Sequence, residues 1–189
     1  MQNCATIWGA KEGEVWMVII KDLKSDETGW FTTGKFESKS FLPGEMNLMI
    51  FTDDGASLED AQKCIEHFNN LADKPEILAA IEKRLEQFFL HMYDEWAAMG
   101  IYNDIVESLK PVMQDYNKGS KLSSFLSRPD LVVYQQQNGD IGYGIQTDCP
   151  WEPEHQCLIL IKNDECVYVG PSEMLDPWDD EEHLRCMGW

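Results

Sequence analysis

Apolar and polar positions along this chain repeat with two different periods. Residues 15–20 (VWMVII) form a short, largely β-branched run bounded by Gly13 and by Lys21-Asp22, which predicts a buried strand. Trp30 to Phe36 and Phe36 to Phe41 alternate aromatic and polar residues around Gly34 and predict a second and a third strand. Met46 to Thr52 predicts a fourth, stopped by the turn signal Asp53-Asp54-Gly55. The period then changes. Ser57 reads as a helix N-cap, with Glu59 and Asp60 in the first turn, where acids suit the helix dipole. Ala61, Cys64, Ile65, Phe68 and Leu71 follow at steps of three and four. Pro75 suits the opening turn of a new helix. Ile77, Ile81, Leu85, Phe88, Met92 and Trp96 mark its buried stripe, and Gly100 is a fitting C-cap. Ile101 to Tyr116 carries a third helical stripe, and Pro111 predicts that it is broken or kinked.

Residues 117–129 read as a polar connection, after which the period returns to two. Leu131 to Gln135 predicts a strand, and Asn138-Gly139 predicts a two-residue hairpin turn, because both of its positions need positive φ. Ile141, Tyr143 and Ile145 alternate with Gly142, Gly144 and Gln146, so one face of the next strand is apolar. Cys157 to Ile161 and Val167 to Val169, joined by Asn163-Asp164-Glu165, predict a closing hairpin that ends at Gly170-Pro171. Strands, then helices, then strands predict an α+β fold. The expected architecture is an antiparallel sheet of N- and C-terminal strands packed against a central block of two to three helices. Residues 1–172 are expected to form this single domain, with 173–189 an acidic C-terminal extension.

Charge sharpens the picture. The 189 residues carry 34 acids and 15 bases, a net charge of −19. A field of that sign repels phosphate backbones and argues against nucleic-acid binding. The excess is uneven. Residues 129–184 hold 13 acids and one base, Lys162, and five of the acids fall in Asp176-Pro177-Trp178-Asp179-Asp180-Glu181-Glu182. Acids around an aromatic are what a surface for a basic protein needs, since the acids steer encounter and the ring can be buried. Trp178, Asp179, Asp180, Glu181 and Glu182 are therefore the expected partner-binding residues. A solubilising tail is the plainer reading of the same composition.

Dedicated chemistry is harder to find. The six cysteines are scattered without a CxxC pair, which predicts free thiols in a reducing compartment. His91 and Glu95 stand one helical turn apart and could share a metal, but nothing points to a third ligand, so a solvent-facing stripe is expected. Cys149, His155 and Cys157 form C-x5-H-x-C, whose residue types suit zinc, yet a fourth soft ligand is lacking nearby and both thiols can simply pack. Neither a phosphate-binding glycine loop nor a metalloprotease or hydrolase signature is present. The expectation is therefore no enzyme, no metal and no cofactor. Residues 1–10 lack a secretory pattern and no apolar run is long enough for a bilayer, so a cytoplasmic protein without membrane contact is expected. The sequence leaves the oligomeric state open.

The segment Asp148-Cys149-Pro150-Trp151-Glu152-Pro153-Glu154-His155, followed by an apolar strand, a polar turn and Val167-Tyr168-Val169-Gly170, resembles the carboxy-terminal signature of a family of uncharacterised bacterial domains. N-terminal strands, a helical middle entered through a helix containing Gln62, and the closing hairpin are similar too, over about residues 7–172. Gln156 departs from the glycine that members commonly carry after Glu-His, and the chain extends beyond the signature. Such families are often encoded beside polymorphic or contact-dependent toxins and are taken as immunity proteins. The resemblance thus implies a non-catalytic inhibitor whose partner is a cognate toxin domain, expected to be basic. Cys149, Trp151, Glu154 and His155 would be signature residues with a structural role, the carboxylate and imidazole satisfying backbone groups where the turn enters the strand. Two rival functions remain: a metal-assisted hydrolase using His91, Glu95 or His155, and a regulatory binding module with no toxin partner.

Overall fold

The computed structural model describes residues 4–11, 14–100 and 103–189. Eight strands form one sheet in chain order: β1 (Ala5–Lys11), β2 (Glu14–Ser25), β3 (Thr32–Ser38), β4 (Gly44–Ile50), β5 (Ser127–Val133), β6 (Gly142–Cys149), β7 (Glu152–Lys162) and β8 (Glu165–Pro171). Every neighbouring pair is antiparallel except β4 and β5, which run parallel with Leu48 opposite Leu131. A parallel pair needs a long crossover. Three helices supply it: α1 (Leu58–Asn69), α2 (Pro75–Met99) and α3 (Asn103–Asn117). The fold is α+β, as the switch of period predicts.

Local chemistry explains the helix boundaries. Ser57 caps α1 through a reciprocal box: its hydroxyl accepts from the Asp60 N–H, and the Asp60 carboxylate accepts from the Ser57 N–H. Pro75 opens α2, and Gly100 closes it in the left-handed conformation at φ 66°. The predicted stripe of α2 is buried, with Phe89 joining it. Together α1, over β2, β3 and β5, and α2, over β8, cover a sheet face built from Ile20, Phe36, Leu48, Leu131, Tyr143, Ile145 and Ile159, all at most 2% exposed. Truncating one such aromatic to alanine costs about 3–5 kcal/mol.

Four local expectations need correction. Residues 36–41 do not form a third strand. β3 ends at Ser38, whose hydroxyl donates to Leu42 O at 2.6 Å, and the chain turns so that Phe41 packs on Phe68. Pro111 does not break α3, which runs on to Asn117; Pro111 and Glu107 are both exposed, so water can serve the carbonyl that the proline leaves free. Ile101, where that stripe was expected to begin, lies outside the described residues. Asn138 and Gly139 do adopt positive φ, 55° and 84°, but residues 134–141 link β5 to β6, a loop rather than a two-residue turn. The Gln136 side chain takes the place of strand pairing there, accepting from Gly142 N at 2.7 Å and donating to Gly142 O at 2.9 Å. Finally, β1 is a strand that the apolar pattern did not predict.

Residues 173–189 are folded against the sheet. On the face away from the helices, Leu175 and Leu184 are buried with Leu158, Leu160 and Tyr168. A short helix, α4 (Glu181–Met187), carries Leu184. The chain then turns round the outer edge of β8. Gly188 lies against the Tyr168 ring, the Trp189 N–H donates to Val169 O at 3.1 Å, and the Trp189 ring stacks on Phe88 of α2 at 4.8 Å. Arg84 donates to the Trp189 oxygen at 2.6 Å. The last strand's free edge is covered in this way.

Candidate functional site

The acidic segment is anchored from within. Gly142 has no side chain on the face away from the helices, and Trp178 and Pro177 fill that space: a Cβ on Gly142 would lie 2.7 Å from Trp178 Cζ2. Lys162, the lone base of residues 129–184, holds its ammonium 5.3 Å from the centroid of the same indole, a cation–π contact. Trp178 is half-buried, so part of its ring already serves the fold. Asp176 and Asp179 stiffen the turn. The Trp178 N–H donates to Asp176 Oδ1 at 2.6 Å, and the Asp176 N–H donates to Asp179 Oδ2 at 2.9 Å. Burial pushes the Asp176 carboxyl above the usual carboxylate range. Asp180 is the N-cap of α4 and accepts from the N–H groups of Glu182 and His183. Glu181 and Glu182 occupy the exposed first turn. Met174 is fully exposed at φ 50° beside Glu173, and Met187 at the end of α4 is exposed to a lesser degree.

Between α4 and the β7–β8 hairpin lies a polar cleft of about 520 Å³. Its walls carry both signs: Arg84, Lys162 and Arg185 against Asp164, Glu165, Asp179 and Glu181. Such a cleft can recognise a polar or charged group.

The signature residues lie at the β6–β7 turn. Trp151 is fully buried, edge-on to Phe88 and Phe89, and its carbonyl accepts from Trp96 Nε1 at 3.0 Å. Cys149 and Cys157 are buried side by side; the hydrogen bond that the Cys157 thiol shares with Cys149 as donor, and then burial, push the Cys157 thiol well up, away from thiolate chemistry. A carboxylate does satisfy the turn's backbone, and it belongs to Glu152. This buried side chain accepts from Glu154 N at 3.0 Å and His155 N at 3.1 Å, and His155 Nδ1 lies 3.3 Å away. Glu154 and His155 themselves are exposed. His91 and Glu95 form an exposed pair 3.4 Å apart. Among the described residues, no group of three or more His, Cys, Asp and Glu side chains is arranged to hold a metal. No described helix is long and apolar enough to cross a membrane.

One cluster escaped the reading of the sequence. His67 of α1 contacts the Tyr143 hydroxyl through Nδ1 at 3.0 Å and Asp164 Oδ1 through Nε2 at 2.9 Å, while Lys74 bonds Asp164. The chain of phenol, imidazole and carboxylate has the form of a proton relay. Tyr143, however, is completely buried, and burial raises its phenol pKa far above the ordinary value, so no substrate reaches it. The cluster instead clamps α1 to the β7–β8 turn. Desolvation lowers the His67 pKa, partly opposed by Asp164. These residues come from three distant segments, and a polar residue within an apolar stripe, His67 beside Phe68, was the only local sign.

A protein-family profile described as a domain of unknown function (DUF6985) matches residues 19–176. No curated protein matches the chain, and no solved structure does.

Proposed function

Because the chain belongs to the DUF6985 family, whose description assigns no activity, its role has to come from its own residues, and we propose that it is a non-enzymatic protein that binds and neutralises a basic protein partner through its acidic C-terminal surface. The observation that supports this reading is the anchoring of residues 173–187. Leu175, Leu184 and part of Trp178 are spent inward, and Asp176, Asp179 and Asp180 order the backbone, which leaves Glu173, Met174, Glu181 and Glu182 on a rigid outer surface. A solubilising tail would need no such scaffold. Acids held in place speed encounter with a basic partner, and a preformed surface lowers the cost of ordering on binding.

The partner class follows from the resemblance of residues 148–170 to families found beside bacterial toxins. A toxin that acts on nucleic acid needs a basic cleft, and an acidic inhibitor competes for it. The deciding experiment is co-expression with any reading frame neighbouring this gene that kills cells when expressed alone. Survival of cells that the toxin alone kills is expected; continued killing, with both proteins folded, refutes the proposal. Glu173, Glu181 and Glu182 are the residues to neutralise together to Gln, because Asp179 and Asp180 hold backbone bonds. Association should slow about tenfold and lose much of its salt dependence.

A further inference from the structure

A second surface lies at the other side of the sheet, where the tip of the β2–β3 hairpin meets the loop before α1. Trp30 sits on that tip and is 62% exposed, the most exposed tryptophan among the described side chains. Its loop is tightly fastened. Asp26 Oδ1 accepts from Phe31 N at 3.0 Å, Asp26 N donates to Phe31 O at 3.0 Å, and Gly29 N donates to Asp26 O at 3.2 Å. Two bonds tie it to the neighbouring loop, from Asp53 N to Trp30 O at 3.0 Å and from Thr52 Oγ1 to Gly29 O at 3.0 Å. An indole left mostly in water on a loop this ordered gains the hairpin little by burial.

Beside it opens a notch of about 530 Å³ whose apolar wall is Leu23, Ile50 and Leu58. Leu58 is itself 41% exposed, although it begins an amphipathic helix. Thr32 and Thr52 add hydroxyls to the lining. The two loops that flank the notch carry exposed carboxylates, Glu27 on the hairpin tip and Asp53 and Asp54 next to Thr52 on the facing loop, while Lys24 is the charged residue of the lining itself.

We propose that this notch, with Trp30 on the hairpin tip beside it, is a docking surface for a polypeptide segment of a protein partner that presents an apolar side chain between basic ones. The apolar side chain enters the notch against Leu23 and Leu58. The indole covers it from the hairpin tip, and the flanking Lys or Arg groups meet Glu27, Asp53 and Asp54. A pocket of this size holds one large side chain or two small ones, and a preorganised tryptophan is the residue type that most often dominates such contacts. The surface is separate from the acidic segment at β8: five strand spacings of about 4.8 Å divide β3 from β8. It stands whether or not Glu181 and Glu182 bind anything.

The test is selection of a phage-displayed random dodecapeptide library on the immobilised full chain. Enrichment of sequences with Leu, Ile, Phe or Met between Lys or Arg residues is expected. The winning peptides, made synthetically, should bind at least about tenfold more weakly to Trp30→Ala and to the Asp53→Asn, Asp54→Asn pair. They should bind unchanged to the Glu173→Gln, Glu181→Gln, Glu182→Gln protein. All the substituted side chains are exposed, so melting temperature checks that each variant is folded. No enrichment, enrichment of acidic or uncharged peptides, or wild-type affinity for Trp30→Ala each overturns the proposal.

Discussion

Replacing Gly142 with alanine tests the docking of the acidic segment directly. The added Cβ would stand 2.7 and 2.9 Å from two ring carbons of Trp178 and 2.8 Å from Pro177 Cγ. Carbon atoms rest at about 3.5–4.0 Å, so the ring has to retreat by close to ~1 Å or the strand has to move. Overpacking of this kind costs about 1–3 kcal/mol. Losing glycine's freedom in the unfolded chain returns about 0.4–1 kcal/mol, because Gly142 does not use a positive φ. The net expectation is a loss of about 1–2 kcal/mol, or roughly 2–8 °C in melting temperature for a chain of this size. Calorimetry measures it, and a second background isolates its cause. In Trp178→Ala, where the ring is gone, Gly142→Ala should be neutral or stabilising by up to about 1 kcal/mol. An equal loss in both backgrounds, or no loss in the first, would show that Trp178 does not occupy this space.

Two further outcomes follow from buried groups. His67 has its pKa lowered by desolvation, so folding favours the neutral imidazole. The stability this contributes is complete above about pH 6.5, the value for an exposed histidine, and is lost as the pH falls below it toward the folded value. Wild-type melting temperature should therefore drop more between about pH 7 and pH 5.5 than that of His67→Gln, and an NMR titration giving His67 an ordinary or raised pKa would refute the reasoning. At the β6–β7 turn, Glu152→Ala should cost about 2 kcal/mol in urea unfolding, since two backbone N–H groups lose their acceptor. Glu154→Ala should change stability by less than about 0.5 kcal/mol; a reversed ranking would show that the wrong carboxylate has been assigned to the turn.

What could be read from the residues alone was local. The Ser57 box, the Pro75 start and the Gly100 stop each depend on chemistry within one helical turn, and all three stand where the pattern puts them. So does the Asn163-Asp164 turn between β7 and β8. What could not be read depends on partners far off in the chain. Gly142 and Gly144 look like gaps in an alternating strand, and only the packing of Pro177 and Trp178 on one, and Leu158 on the other, shows why a side chain is unwelcome there. Asp164 looks like an ordinary turn acid until His67, 97 residues earlier, is found beside it. The candidate surface was legible as composition, a run of acids around a tryptophan. Which of those side chains face water was not, because direction depends on the docking of Leu175 and Leu184. Trp30 gave no signal at all: within an alternating aromatic run, an exposed ring looks the same as a buried one.

The pairing of β4 with β5 has a consequence for the order in which the molecule assembles. Every other neighbouring pair of described strands joins segments close in sequence and can zip up early as a hairpin or meander. Asn47 and Asp130, hydrogen-bonded at 2.7 Å, are 83 residues apart. Closing a loop of that length is entropically expensive until the intervening helices have shortened it. The two four-stranded halves are thus poised to form first and to meet last, along a seam that only a collapsed helical layer can bring together.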